Sequence, residues 1–243
     1  MKALYSLKSV LIAFWLLLAG LNIHAQKSLS FKTFDGLTVY AKLYESGDKN
    51  AKIMLLCHQA RSGKSEYKQT ATMFNKLGYT CLAIDQRSGD TTGVNETVIE
   101  ANRTGMPISY IDAEADIIAA IEYLYSVYKK KITVIGSSYS ASLIIKIASE
   151  NADKIEKLAA FSPGEYFDDK NLVQNALTNL SVPLFITGGE GEEKQLMQLL
   201  SGVENKNIVF FKPVKGGRHG AKTLSPENRA SSAYWAELNK FLK

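Results

Sequence analysis

Ile132-Thr133-Val134-Ile135-Gly136-Ser137-Ser138-Tyr139-Ser140 is the stretch on which the reading of this chain turns. Three of its first four residues are the β-branched Ile, Thr and Val, and the fourth is again Ile, a composition that favours a strand. The next segment, Ala141 to Ala148, carries apolar residues at helical spacing. Between them lies Gly-x-Ser-x-Ser, one step from the Gly-x-Ser-x-Gly of a nucleophile elbow. A chain that turns this sharply from strand to helix strains the backbone of the central residue. Bulk two residues to either side would clash, and Gly136 and Ser140 are both small. The helix that starts here aims its dipole and free N–H groups at the site, which favours an oxyanion. Ser138 is therefore the candidate nucleophile. The alternative is a serine-rich turn in which Ser138 or Ser140 only caps the helix.

Working outward, short apolar runs recur at Lys52 to Cys57, Tyr79 to Ile84, Leu158 to Phe161, Pro183 to Thr187 and Ile208 to Phe211. Such continuous runs mark strands buried on both faces. Helical periodicity lies between and beyond them at Tyr67 to Leu77, Ile111 to Tyr128, Lys194 to Leu200 and Ser231 to Leu242. Phe31 to Phe34, Asp35-Gly36 and Leu37 to Tyr44 predict a hairpin with a tight turn. The alternation predicts a single-domain α/β fold, a mostly parallel twisted sheet with helices on both faces. The polar stretch Ser88 to Ser109 reads as a long loop forming one wall of a pocket. Ligand sites in such sheets lie beyond the carboxyl ends of the strands, so chemistry is sought just after each apolar run.

A serine hydroxyl needs an adjacent base. His219 lies in Gly216-Gly217-Arg218-His219-Gly220, after the last apolar run, and is the candidate base. His58 ends the run Ile53 to Cys57 and reads instead as a buried ring bonded to loop backbone. The acid that orients the imidazole is expected after Pro183 to Thr187, in Gly188-Gly189-Glu190-Gly191-Glu192-Glu193. Glu192 is preferred, with Glu190 and Glu193 as alternatives and Asp168 or Asp169 as the fallback. Gly63-Lys64-Ser65 imitates part of a phosphate loop, but His58 stands where that motif needs its first glycine. No His, Cys and carboxylate cluster has metal-ligand spacing, so neither metal nor cofactor is expected.

Residues 1–25 read as a secretory signal peptide: Lys2 and Lys8, an apolar run from Val10 to Leu21, and Ala25 before a cleavage point. That run is too short to span a bilayer as a helix; an uncleaved anchor is the alternative. The mature domain would be 26–243, exported to a periplasm or beyond the cell and free of the membrane once the signal is cut. The net charge of +5 falls by two with Lys2 and Lys8, and the remaining charges are interspersed, so no nucleic-acid partner is expected. Cys57 and Cys81 fall too far out of step on neighbouring strands for a bridge, and two buried thiols are expected. Asn95, Asn102 and Asn179 stand in Asn-x-Ser/Thr sequons that would matter only in a glycosylating host.

Taken together, these features resemble the α/β-hydrolase superfamily, and within it small dienelactone-hydrolase-like members with a serine nucleophile. The resemblance spans the mature chain and rests on Phe34-Asp35-Gly36-Leu37, His58-Gln59-Ala60, Asp85-Gln86-Arg87-Ser88-Gly89, Gly136 to Ser140 and Gly217-Arg218-His219-Gly220. The order Ser, acid, His is that superfamily's, and its strand-to-acid spacing also lands on Glu192. It implies an oxyanion hole from the backbone N–H of Tyr139 with that of Ala60, or of Gln59, and structural roles for Asp85 and Arg87. The chain departs from the pattern at Ser140 and Gln59, where the family carries glycine, and at Ser138, where dienelactone hydrolases proper have cysteine. The implied activity is cleavage of a small or extended soluble carboxylic ester through an acyl-enzyme. Thioester or peptide cleavage, acyl transfer, and a non-catalytic exported binding protein are the alternatives.

Overall fold

The computed structural model describes residues 26–89 and 95–243. The expected signal peptide lies outside the described residues, as does 90–94 of the stretch read as a pocket wall. The strands are β1 (Gln26–Lys32), earlier along the chain than the expected Phe31 to Phe34, and, near their expected places, β2 (Thr38–Tyr44), β3 (Lys52–Cys57), β4 (Tyr79–Ile84), β5 (Ile132–Ser137), β6 (Ile155–Phe161), β7 (Leu184–Thr187) and β8 (Ile208–Phe210). They make one sheet in the order β1-β2-β4-β3-β5-β6-β7-β8. β1 pairs antiparallel with β2 and β2 antiparallel with β4, while all other neighbours are parallel. The fold is therefore the expected single-domain α/β fold. β4 and β5 are buried along their whole length, and β3 at every residue after Lys52, as their unbroken apolar runs require.

From β3 the chain steps to β4 on one side, then crosses back to β5 on the other. Connections that leave in opposite directions open a crevice between two strand ends, and ligands bind there in open α/β sheets. Here that crevice lies beyond Cys57 and Ser137, the last residues of β3 and β5.

Helices α1 (Lys68–Lys76) and α7 (Ser231–Leu242) cover one face, where Phe74, Trp235 and Leu238 pack on Leu56 and Ala83. On the other face α3 (Glu114–Tyr128), α4 (Tyr139–Glu150), α5 (Leu172–Asn179) and α6 (Glu193–Leu199) bring Ile117, Leu124, Ile144, Val173 and Leu196 onto Leu55, Val134 and Leu158. Cys57 pairs with Ile84 and Cys81 with Met54, a three-residue offset that also puts the two sulfurs on opposite faces of the sheet. Both are buried free thiols, as expected.

Two expectations need correction. The stretch 88–109 is not one long loop: it contains α2 (Glu96–Thr104). Asn95 caps its start by accepting from Val98 N at 2.9 Å, and Gly105, at φ +67, closes its end. Since Asn95 is fully buried, its sequon has no exposed acceptor. The hairpin turn is also longer than Asp-Gly alone. Lys32 pairs with Thr38, leaving 33–37 as the connection, closed by Thr33 N donating to Leu37 O at 2.9 Å. Between β6 and β7 the chain adds the short helix α5.

Candidate active site

Ser138 lies between the end of β5 and the start of α4, with φ +59 and ψ −124. That is the strained turn expected of the elbow, and it persists because both flanks are fixed. Ser138 N donates to Phe161 O at 2.8 Å, and Ala141 N donates back to Ser138 O at 2.8 Å. Gly136 is required for the turn: a Cβ there would come 2.7 Å from Ala141 Cα and from Ser140 O.

His219 Nε2 is 2.8 Å from Ser138 Oγ, and His219 Nδ1 is 2.5 Å from Glu192 Oε1. The other oxygen, Oε2, accepts from Gly189 N at 2.7 Å and from Ser162 Oγ at 2.5 Å. Burial is the largest single influence on this carboxyl and works to raise its pKa. The hydrogen bonds from His219, Ser162 and Gly189 outweigh it together and hold Glu192 below its ordinary value. The loop after β7 reaches His219 because Gly189 lies against the backbone of Arg218, where a Cβ would stand 2.7 Å from the Arg218 carbonyl carbon. The other acids point elsewhere. Glu190 accepts from Gly216 N at 2.8 Å, Glu193 pairs with Lys212 at 2.8 Å, Asp169 accepts from Asn171 N at 2.9 Å, and Asp168 is exposed.

The N–H of Tyr139 opens α4 immediately after Ser138. Gln59 N–H is committed to Glu66 Oε2 at 3.2 Å, whereas among the described residues neither Tyr139 N–H nor Ala60 N–H has a protein acceptor. Of the two residues left open for the second donor, Ala60 is thus the one with its N–H available. The loop that carries it is anchored by His58, which is fully buried. Its Nδ1 bonds Gln59 O at 2.8 Å, and its Nε2 accepts from Gln86 N at 2.9 Å. These partners fix the neutral Nδ1–H tautomer, and burial lowers its pKa. The hydroxyl at position 140 has a physical use: Ser140 Oγ donates to His58 O at 2.5 Å and accepts from Gln86 Nε2 at 2.8 Å. It ties the elbow to the loop of Ala60, which a glycine could not do. Asp85 and Arg87 are structural here. Asp85 accepts from Lys64 N, Lys64 Nζ and Glu96 N, and buried Arg87 bridges Asp116 and Asp35.

Several neighbours of the site escaped the sequence reading. Ser162 holds Glu192 as described. Ser137 Oγ accepts from Ala221 N at 2.8 Å, fastening the chain just beyond His219 to the elbow. Tyr110 stacks on Tyr139 with centroids 4.6 Å apart, and the Tyr166 hydroxyl lies beside Ser138 while donating to Ser162 O at 2.9 Å. From Tyr166 a groove of about 620 Å³ runs past Lys170, Gln174, Gln195 and Gln198. Ser162 stands directly at the end of β6, where the strand-end rule points, but no motif distinguishes it.

No family model and no curated protein matches the sequence. Solved structures do match. The Pyrococcus furiosus esterase Pf2001 superposes with a TM-score of 0.69 at 19% identity, covering 100% of this chain and 96% of that one. A dienelactone hydrolase from Anabaena variabilis gives 0.65 at 15% identity, covering 90% and 96%. An acylaminoacyl peptidase from Pyrococcus horikoshii gives 0.66 at 14% identity over 93% of this chain but only 43% of its own. At these identities the likeness is one of fold.

Proposed function

We propose that this chain, whose fold is that of the α/β-hydrolases, is an exported serine hydrolase that cleaves carboxylic esters through an acyl-enzyme. The observation that carries the reading is the hydrogen-bonded series Glu192 Oε1, His219 Nδ1, His219 Nε2, Ser138 Oγ, with steps of 2.5 and 2.8 Å. His219 Nε2 takes the Ser138 proton as Oγ attacks the acyl carbonyl carbon. The carbonyl oxygen becomes an oxyanion, for which the uncommitted N–H groups of Tyr139 and Ala60 are the assigned donors, each such donor being worth about 10²–10³ in rate. Glu192 keeps the second imidazole proton on Nδ1 and stabilises the imidazolium. The imidazolium then protonates the departing alkoxide, leaving the acyl group on Ser138. Water, deprotonated by His219, attacks that ester, the acyl C–Oγ bond breaks, the imidazolium returns its proton to Oγ, and the carboxylic acid departs. No metal or cofactor has a part in this sequence.

Esters are put first because esterases and dienelactone hydrolases stand among the structural neighbours, while the acylaminoacyl peptidase beside them makes amide cleavage the second reading. Residues 1–25 support export, and N-terminal sequencing of the secreted or periplasmic protein should begin at Gln26. The reading is tested by intact mass after fluorophosphonate treatment of the protein and its Ser138→Ala and His219→Ala variants. One adduct on the unaltered protein, lost in both variants, is the expected result. An adduct that survives Ser138→Ala, or none at all, refutes it. Hydrolysis of matched ester, thioester and amide substrates assigns the bond.

A further inference from the structure

We infer that Ser162 is a positioning residue for the reaction, holding Glu192 and the His219 loop in register through its hydroxyl. This rests on the reading of Ser138, His219 and Glu192 as the reacting groups. Ser162 follows β6 directly, and its N–H extends the sheet ladder to Thr187 O at 2.7 Å. The residue is 2% exposed. Its Oγ donates to Glu192 Oε2 at 2.5 Å and accepts from Gly220 N at 2.8 Å. One hydroxyl thus grips the acid and the residue covalently next to the base. Its carbonyl is engaged as well, by the hydroxyl of Tyr166.

The backbone at this position is the second observation. Ser162 has φ +58, in the left-handed region that Ser138 occupies at +59, where an L side chain is strained and glycine is at ease. Strain of this kind persists where the surroundings over-determine it, and it gathers at functional sites. The fold alone would accept glycine here; what glycine lacks is the hydroxyl. Without it, Oε2 of Glu192 would keep only Gly189 N–H, and one donor leaves the carboxylate free to rotate about that bond. Oε1 would then leave Nδ1, and the imidazole would lose the partner that fixes its proton.

Ser162→Ala and Ser162→Gly both remove the hydroxyl, but only the glycine relieves the backbone, so the glycine variant should melt higher than the alanine one. If the hydroxyl positions the site, kcat falls about 10- to 100-fold in both, the size typical of losing a group that orients a ligating side chain. KM should stay within about 2-fold. The acid limb of the kcat/KM profile should move in both, because Glu192 has lost a donor that steadies its charge. The inference is overturned if either variant keeps kcat within about 2-fold of the unaltered protein, or if activity follows melting temperature, so that glycine recovers what alanine loses. Ser138→Ala and His219→Ala, assayed alongside, keep two failures apart. Hydrolysis retained in these defeats the underlying reading. Hydrolysis lost in these but intact in the Ser162 variants defeats the positioning role alone.

Discussion

Replacing Glu192 by glutamine changes one atom and no volume, and the consequence can be worked from the partners of each oxygen. Oε2 receives two donors, Ser162 Oγ and Gly189 N. The serine hydroxyl can rotate, but the backbone N–H cannot. The amide oxygen must therefore occupy the Oε2 site, which turns the NH₂ toward His219 Nδ1. The ring then accepts at Nδ1 and carries its proton on Nε2, facing Ser138 with nothing to receive the hydroxyl proton. The opposite orientation sets NH₂ against Gly189 N–H and leaves a buried donor unpaired, at about 1–3 kcal/mol, or about 5- to 150-fold in population of the productive tautomer. Losing a charge-assisted bond to the imidazolium removes about 1.5–3 kcal/mol more. Together these predict a fall of about 10²–10⁴ in kcat/KM for an activated acyl ester. Folding should be little changed, and fluorophosphonate labelling should slow in parallel. Glu190→Gln and Glu193→Gln should stay within about 3-fold, because neither acid touches His219. A Glu192→Gln enzyme within tenfold of the original, or an equal loss at Glu190, would refute the assignment.

Two further outcomes follow from the loop that carries Ala60. Ser140→Gly would complete the Gly-x-Ser-x-Gly pattern, yet it should lower both stability and activity. It strips His58 O of its donor, at about 1–3 kcal/mol, and puts glycine in the first turn of a helix at about 0.5–1 kcal/mol. Thermal melting that matches the unaltered protein counts against this. Buried His58 has its pKa pushed below the ordinary 6.5. Between its folded and unfolded values the unfolded chain binds the extra proton, so stability is full above pH 6.5 and falls as pH drops below it. The slope from this one group is at most about 1.36 kcal/mol per pH unit. Urea titrations from pH 8 to 5 should show the decline, and His58→Asn should flatten it. An unchanged slope in that variant would assign the decline elsewhere.

What the sequence made legible was whatever is written in contiguous residues. The six parallel runs, the elbow at Ser138, the glycine-flanked His219 and the acid cluster after β7 each announce themselves locally, because a buried strand must be apolar throughout and a sharp turn must be small. Nothing local separates Glu192 from Glu190 and Glu193, since all three lie within four residues and their partners, His219, Gly216 and Lys212, lie far along the chain. Helix α2 was missed because its apolar stripe is short. Its signal was in the caps, Asn95 before and Gly105 after. Ser162 carries no local mark, for a lone serine after a strand becomes informative only once Glu192 and Gly220 are seen to converge on it.

The sheet's last strand bears on how this protein would fail. β8 is three residues long, pairs only with β7, and leaves Val209 49% exposed. His219 lies on the chain that leaves this strand, while Ser138 sits just past the end of β5, near the sheet's middle. A peripheral strand with so few ladder bonds belongs to the part of a protein that opens first, well before its centre gives way. That strand can nevertheless fray without releasing His219, because Ala221 N on Ser137 Oγ and Gly220 N on Ser162 Oγ hold the chain just beyond the ring to the ends of β5 and β6. Mild denaturant should therefore loosen β8 and the chain leading from it while Ser138 and His219 stay together, the two parting only when the centre of the sheet gives way.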